Sequence, residues 1–168
     1  MIPLNILSIM VGITEIAHSI GVSLVCGTFP PLHGLPVILL DSLHAGYIDD
    51  QAKTLKTNQL DPFVAFARRA AKKERFMFLS HSSIIPPGYG STTEVAEFVV
   101  AQLGGKPKRT SRKDVLGLDM IDRFDKGAFH MRGYTGEDKP DHCAHIGLMA
   151  DIVRVHLAPR WKTPKGKR

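Results

Sequence analysis

The chain has only two cysteines, Cys26 and Cys143, in 168 residues, so no disulfide framework is available and each reads as a small buried hydrophobe. It has no run of about 20 uninterrupted apolar residues, so no membrane span is expected. Eleven prolines and fifteen glycines follow no period, which excludes collagen-like and low-complexity chains. Positive charge is missing from the first 52 positions, and residues 1–48 carry only Glu15 and Asp41 as charges. What is present is 43% apolar and 23% charged residues, a mix that builds one core of ordinary domain size.

All 22 Lys and Arg follow residue 52 and give a net charge of +6. Two basic clusters stand out. One is Lys106, Lys108, Arg109, Arg112 and Lys113; the other is the tail from Arg160 to Arg168. Such clusters attract phosphate, but Trp161 is the only aromatic near either, so nucleic acid is not the favoured partner and a solvated loop and tail are expected. Residues 1–35 form an apolar segment without the basic start of a secretory signal, and Glu15 and His18 interrupt it. A segment this apolar must pack into the core or bind a partner. The expected division is 1–35 as this segment, 36–161 as an α/β domain and 162–168 as a basic tail, with a cytoplasmic location by default.

From residue 36 the pattern becomes regular. Pro36 to Leu40 is a short apolar run expected of a strand buried on both faces. Asp61-Pro62 reads as a cap and first helical proline, opening a helix to about Lys73. Arg75 to Leu79 reads as a second strand, ending in the polar run Ser80 to Ser83. Ser91-Thr92-Thr93-Glu94 is a capping-box pattern, and the helix it opens stops at Gly104-Gly105. Asp114 to Lys126, with Leu118, Ile121 and Phe124 in register, predicts another helix closed by Gly127. Ala128 to Tyr134 reads as a third strand, and Pro140 opens a last helix. Strand and helix alternate three times, which predicts an α/β fold with a three-layer parallel sheet and flanking helices.

Ligands bind at the carboxyl ends of strands in such sheets. All three ends are polar: Asp41, Ser42 and His44; then Ser80, His81, Ser82 and Ser83; then Asp141, His142 and His145. Singly, each has an ordinary reading as a turn, a cap or a hydrogen-bonded core group. Together they propose a site. Acyl transfer needs a hydroxyl nucleophile, a histidine base and a carboxylate that fixes its tautomer. Here the base is His142 or His145, the acid Asp41 or Asp141, and Ser80, Ser82 or Ser42 the nucleophile or oxyanion donor. Alternatively His44, His81, Asp141, His142 and His145 offer ligands for zinc or another divalent metal, although neither HExxH nor paired CxxC is present. The third reading is a non-enzymatic binding domain that uses the basic surface.

Leu40-Asp41-Ser42-Leu43-His44-Ala45-Gly46-Tyr47, Leu79-Ser80-His81-Ser82-Ser83-Ile84 with Ser91-Thr92-Thr93-Glu94, and Gly133-Tyr134 followed by Asp141-His142-Cys143-Ala144-His145 carry a resemblance. Over 37–161 the chain resembles the carboxyl-terminal half of an α/β-hydrolase-like family of bacterial proteins. The resemblance implies hydrolysis of an ester or amide of a small molecule without a cofactor. It puts His142 or His145 at the position of the catalytic histidine and makes Asp41 a candidate acid. The nucleophile elbow Gly-x-Ser-x-Gly would precede Val37, yet Gly12 to Ile16 and His18 to Gly21 do not match it. This predicts a truncated or inactive enzyme, able to self-associate through an exposed sheet edge or the apolar segment.

Overall fold

The computed structural model describes residues 36–49 and 51–161. The apolar segment 1–35, with Cys26, and the basic tail 162–168 lie outside the described residues. Three strands run in parallel: β1 (Val37–Leu40), β4 (Met77–Ser82) and β7 (Phe129–Tyr134). A small hairpin, β2 (Tyr47–Asp49) and β3 (Thr54–Leu55), follows β1. Helix α1 (Asp61–Ala71) connects to β4, and α2 (Thr92–Gln102) follows it.

The expected helix over 114–126 is not formed. Instead β5 (Lys108–Lys113) and β6 (Asp119–Lys126) make an antiparallel hairpin that extends the sheet to the order β1-β4-β7-β6-β5. The sheet is therefore mixed rather than all-parallel. A spacing of three between Leu118, Ile121 and Phe124 suits a helix, but pairing on both sides outweighs that local pattern. Asp114 does not start a helix. Its Oδ1 accepts the amides of Leu116 and Leu118, and Gly117 takes a left-handed φ of 82°, which together turn the hairpin. Gly127, read as a helix stop, makes the tight β6–β7 turn at φ 63°.

Alternation along the strands divides the core into two layers. Leu39, Met77, Leu79, Phe129 and Met131 pack on α1 and α2. Ile38, Leu40, Phe78 and Tyr134 face the opposite way, toward Leu148, Ile152 and Leu157 of the terminal helical segment. That segment comprises α3 (Lys139–Ala144), a 3-10 turn, α4 (Leu148–Ile152), a π turn (Val153–Leu157) and α5 (Ala158–Trp161). The His156 ring lies 4.2 Å from that of His130 and 5.6 Å from that of Phe76, which docks the segment on β4 and β7. The result is an α/β fold in three layers. Cys143 is exposed on α3 rather than buried, because that short helix meets the end of β1 through His142.

The capping box forms as expected: Ser91 Oγ accepts from Glu94 N, and Glu94 Oε2 accepts from Ser91 N. Strand β4, however, runs on through Ser82, so Ser80, His81 and Ser82 are buried strand residues and not a surface loop. Unpaired, each buried polar group would cost about 1–3 kcal/mol.

Gly133 permits one of the pairings. His81 on β4 and Asp122 on β6 meet across β7, with Nε2 to Oδ1 at 3.0 Å. A Cβ on Gly133 would stand 2.3 Å from the His81 ring and 2.5 Å from the Asp122 carboxylate. Gly133→Ala should therefore destabilise the fold by about 2 kcal/mol, read as a lower urea midpoint with an unchanged slope. Full wild-type stability would show that this close approach does not constrain the sheet.

Candidate functional site

Asp41 ends β1 with φ 47°, a left-handed turn that a short polar side chain tolerates better than most. Its amide donates to the Ser80 carbonyl and lies 3.1 Å from Ser80 Oγ. The turn places its carboxylate against three donors from three other parts of the chain. Oδ1 accepts from Ser82 N at 2.8 Å and from Thr92 Oγ1 at 2.5 Å, and Oδ2 is 2.8 Å from His142 Nδ1. The carboxylate is 1% exposed, while the imidazole of His142 is 20% exposed.

Burial alone would raise the carboxyl's pKa. The Thr92 hydroxyl, the nearby His145 charge, the His142 bond and the Ser82 bond outweigh it and hold Asp41 below the ordinary carboxylate value. Asp41 is thus an anion at neutral pH and can only accept. His142 Nδ1 must therefore donate, so in the neutral ring the lone pair lies on Nε2.

Beside this pair, Ser80 Oγ lies 2.8 Å from His145 Nδ1, and both residues have essentially no exposed surface. The Tyr134 ring meets His145 edge-on at 5.0 Å. Burial lowers the pKa of His145. The negative charge of Asp41 opposes that shift, while His142 and His81 add to it. Burial also lowers the pKa of His44, and its bond to Gly90 and the charge of Asp41 oppose that shift. His44 Nδ1 is 3.2 Å from the Gly90 carbonyl, which can only accept, so Nδ1 is the protonated nitrogen. Its Nε2, with Ser42 Oγ and Ser82 Oγ, is buried without a hydrogen-bond partner among the described residues.

Of the residues expected at the site, Asp41, Ser82, His142, Ser80 and His145 come together. His81 does not join them. It turns to the other face of β4, held by Asp122 and by Thr93 Oγ1 at 2.9 Å. Asp141 is engaged locally, where its Oδ2 accepts the Glu137 amide at the start of α3. Ser83 bonds Gly136 across the loops, 2.9 Å each way. Among the described residues, no three His, Cys, Asp or Glu side chains are arranged to hold a metal ion. The sequence pattern does not point to Thr92, visible there only as part of a capping box, or to Asp122, hidden in a segment whose spacing suits a helix.

No protein-family model matches the chain, no curated protein matches its sequence and no solved structure matches its fold.

The lowered pKa of Asp41 has a definite sign. Its stabilisation is complete above the ordinary carboxylate value, about 3.9, and is lost as pH falls through the lower folded value. Thr92→Val removes a donor from a buried anion and should cost about 2 kcal/mol at neutral pH. It should also move acid unfolding to higher pH, while Thr92→Ser keeps both properties near wild type. Identical acid-unfolding curves for Thr92→Val and wild type would show that the hydroxyl does not stabilise the carboxylate.

Proposed function

We propose that the chain carries the acid–histidine part of a hydrolase site acting on an ester or amide, of the kind its resemblance to α/β-hydrolase-like proteins implies. The observation that supports this reading best is the Asp41–His142 hydrogen bond. It joins side chains 101 residues apart at one end of the parallel strands. A buried carboxylate that fixes the Nδ1–H tautomer of a partly exposed imidazole is the arrangement a general base requires.

In this reading, His142 Nε2 takes the proton from an attacking hydroxyl or water as the oxygen adds to the acyl carbon. It then returns that proton to the departing alkoxide or amine. Asp41 stays ionised throughout and stabilises the imidazolium formed between the two transfers. Ser82 N shares the Asp41 carboxylate with this base and Ser80 Oγ bonds His145, but both serines are buried within β4. A water molecule is therefore the simpler nucleophile at His142, and a serine attack needs β4 to open locally.

The test is hydrolysis of an activated acetate ester. His142→Ala and Asp41→Asn should each lower the rate at least about 100-fold, the usual contribution of a positioned base, and added imidazole should restore part of the His142→Ala loss. A fluorophosphonate probe decides the nucleophile: no labelling fits water, and labelling that Ser80→Ala or Ser82→Ala abolishes fits the serine. Unchanged rates in both folded variants would overturn the proposal.

A further inference from the structure

The β5–β6 hairpin holds two features that folding does not require. The first is its tip. Val115 is 64% exposed and Leu116 47% exposed, although the turn that carries them is held firmly by Asp114 Oδ1 and by Lys113 Nζ on the Gly117 carbonyl. Leu116 reaches the terminal helical segment, where a Cβ on Gly147 would stand 2.9 Å from its Cδ1. The neighbouring Ile146 is 44% exposed. Large apolar side chains thus gather at the surface where the hairpin meets the helical segment. Scattered apolar residues are ordinary on a surface, but a hydrogen-bonded turn that presents two side by side is a candidate for an interaction surface.

The second feature is uncompensated charge. Residues 106–126 contain seven basic and four acidic side chains. Every one of the acids is engaged. Asp122 bonds His81 and pairs with Arg109, Asp119 pairs with Lys113, and Asp125 pairs with His130 and Arg132. Asp114 bonds the turn amides. Lys106, Lys108, Arg112 and Arg123 have no ion-pair partner among the described residues. The strand register even sets Lys108 opposite Arg123 and Arg123 opposite Arg132. Like charges directly across a ladder destabilise it, and of this row only Arg132 has an ion-pair partner among the described residues, so Lys108 and Arg123 gain nothing from the register.

We propose that the hairpin is a docking surface for an anionic lipid membrane. Val115, Leu116 and Ile146 enter the interfacial region, and Arg112 and its neighbours sit at the level of the negatively charged headgroups. The apolar tip decides against nucleic acid. A phosphate backbone makes no use of exposed valine and leucine, and Phe124, the only ring on 106–126, packs against the core and cannot stack a base. The surface is independent of the Asp41–His142 pair, and its test reads binding and not hydrolysis.

The full chain is sedimented with vesicles of phosphatidylcholine alone and with phosphatidylcholine containing phosphatidylglycerol. Wild type should partition more strongly onto the anionic vesicles, and that preference should fade with added salt. The double variant V115E/L116E should partition about tenfold less onto them. The double variant R112E/R123E should lose the preference for phosphatidylglycerol. Val115→Glu alone, at the more exposed position, should melt like wild type and still weaken partition, which separates docking from folding. The proposal is overturned if wild type shows no preference for anionic vesicles, or if V115E/L116E partitions like wild type. Retention on duplex DNA that R112E/R123E abolishes, with vesicle partition unchanged in both double variants, would also overturn it and assign the charge to nucleic acid.

Discussion

The buried carboxylate of Asp41 is the interaction on which the rest of the site depends. An anion removed from water is costly unless its oxygens are filled, and here three donors fill them. One is the backbone amide of Ser82, on the neighbouring parallel strand. The second is the hydroxyl of Thr92, in the first turn of α2. The third is the imidazole of His142, on the helix after the last strand. A single side chain therefore ties together β1, β4, α2 and α3. The left-handed turn at Asp41 becomes intelligible in this light, since it aims the carboxylate at all three.

The same accounting explains why Ser80 and His81 are tolerated under full burial at the end of an apolar strand, whereas the Ser82 hydroxyl has no partner among the described residues. Ser80 Oγ is used by the Asp41 amide and by His145, the Ser82 amide is used by Asp41, and His81 is used by Asp122 and Thr93. Alternation along β4 divides these partners between the two faces of the sheet. Ser80 reaches the terminal helical segment, which carries both site histidines, and His81 reaches α2 and the hairpin. Gly133 lies between His81 and Asp122, where any side chain would separate them.

Much of this is legible in the sequence. Unbroken apolar runs identify β1 and β4 because covered strands need no polar face, and the capping box locates α2 to within a residue. The three polar strand ends predict a convergence, and Asp41, Ser80, Ser82, His142 and His145 do converge. Other features are not legible, for physical reasons. The β5–β6 hairpin is stabilised by pairing with β7, a non-local interaction that a period of three in the local sequence does not register. Asp122 is hidden with it, and so is the partner of His81. Nothing in the one-dimensional pattern distinguishes a strand that stops at Leu79 from one that continues through Ser82, because the difference lies in donors and acceptors supplied from 10 or more residues away. Asp141, a carboxylate like Asp41 and adjacent to His142, is occupied by its own helix start, which only the backbone geometry reveals.

The central claim is that an ionised Asp41 fixes His142 with its proton on Nδ1 and its lone pair on Nε2. Nitrogen-15 NMR of the imidazole ring in the folded chain reads that tautomer directly. The account predicts a protonated Nδ1 with a strongly downfield proton resonance, an unprotonated Nε2, and loss of that resonance in Asp41→Asn. A His142 ring protonated only at Nε2, or spectra that are the same with and without the carboxylate, would contradict it.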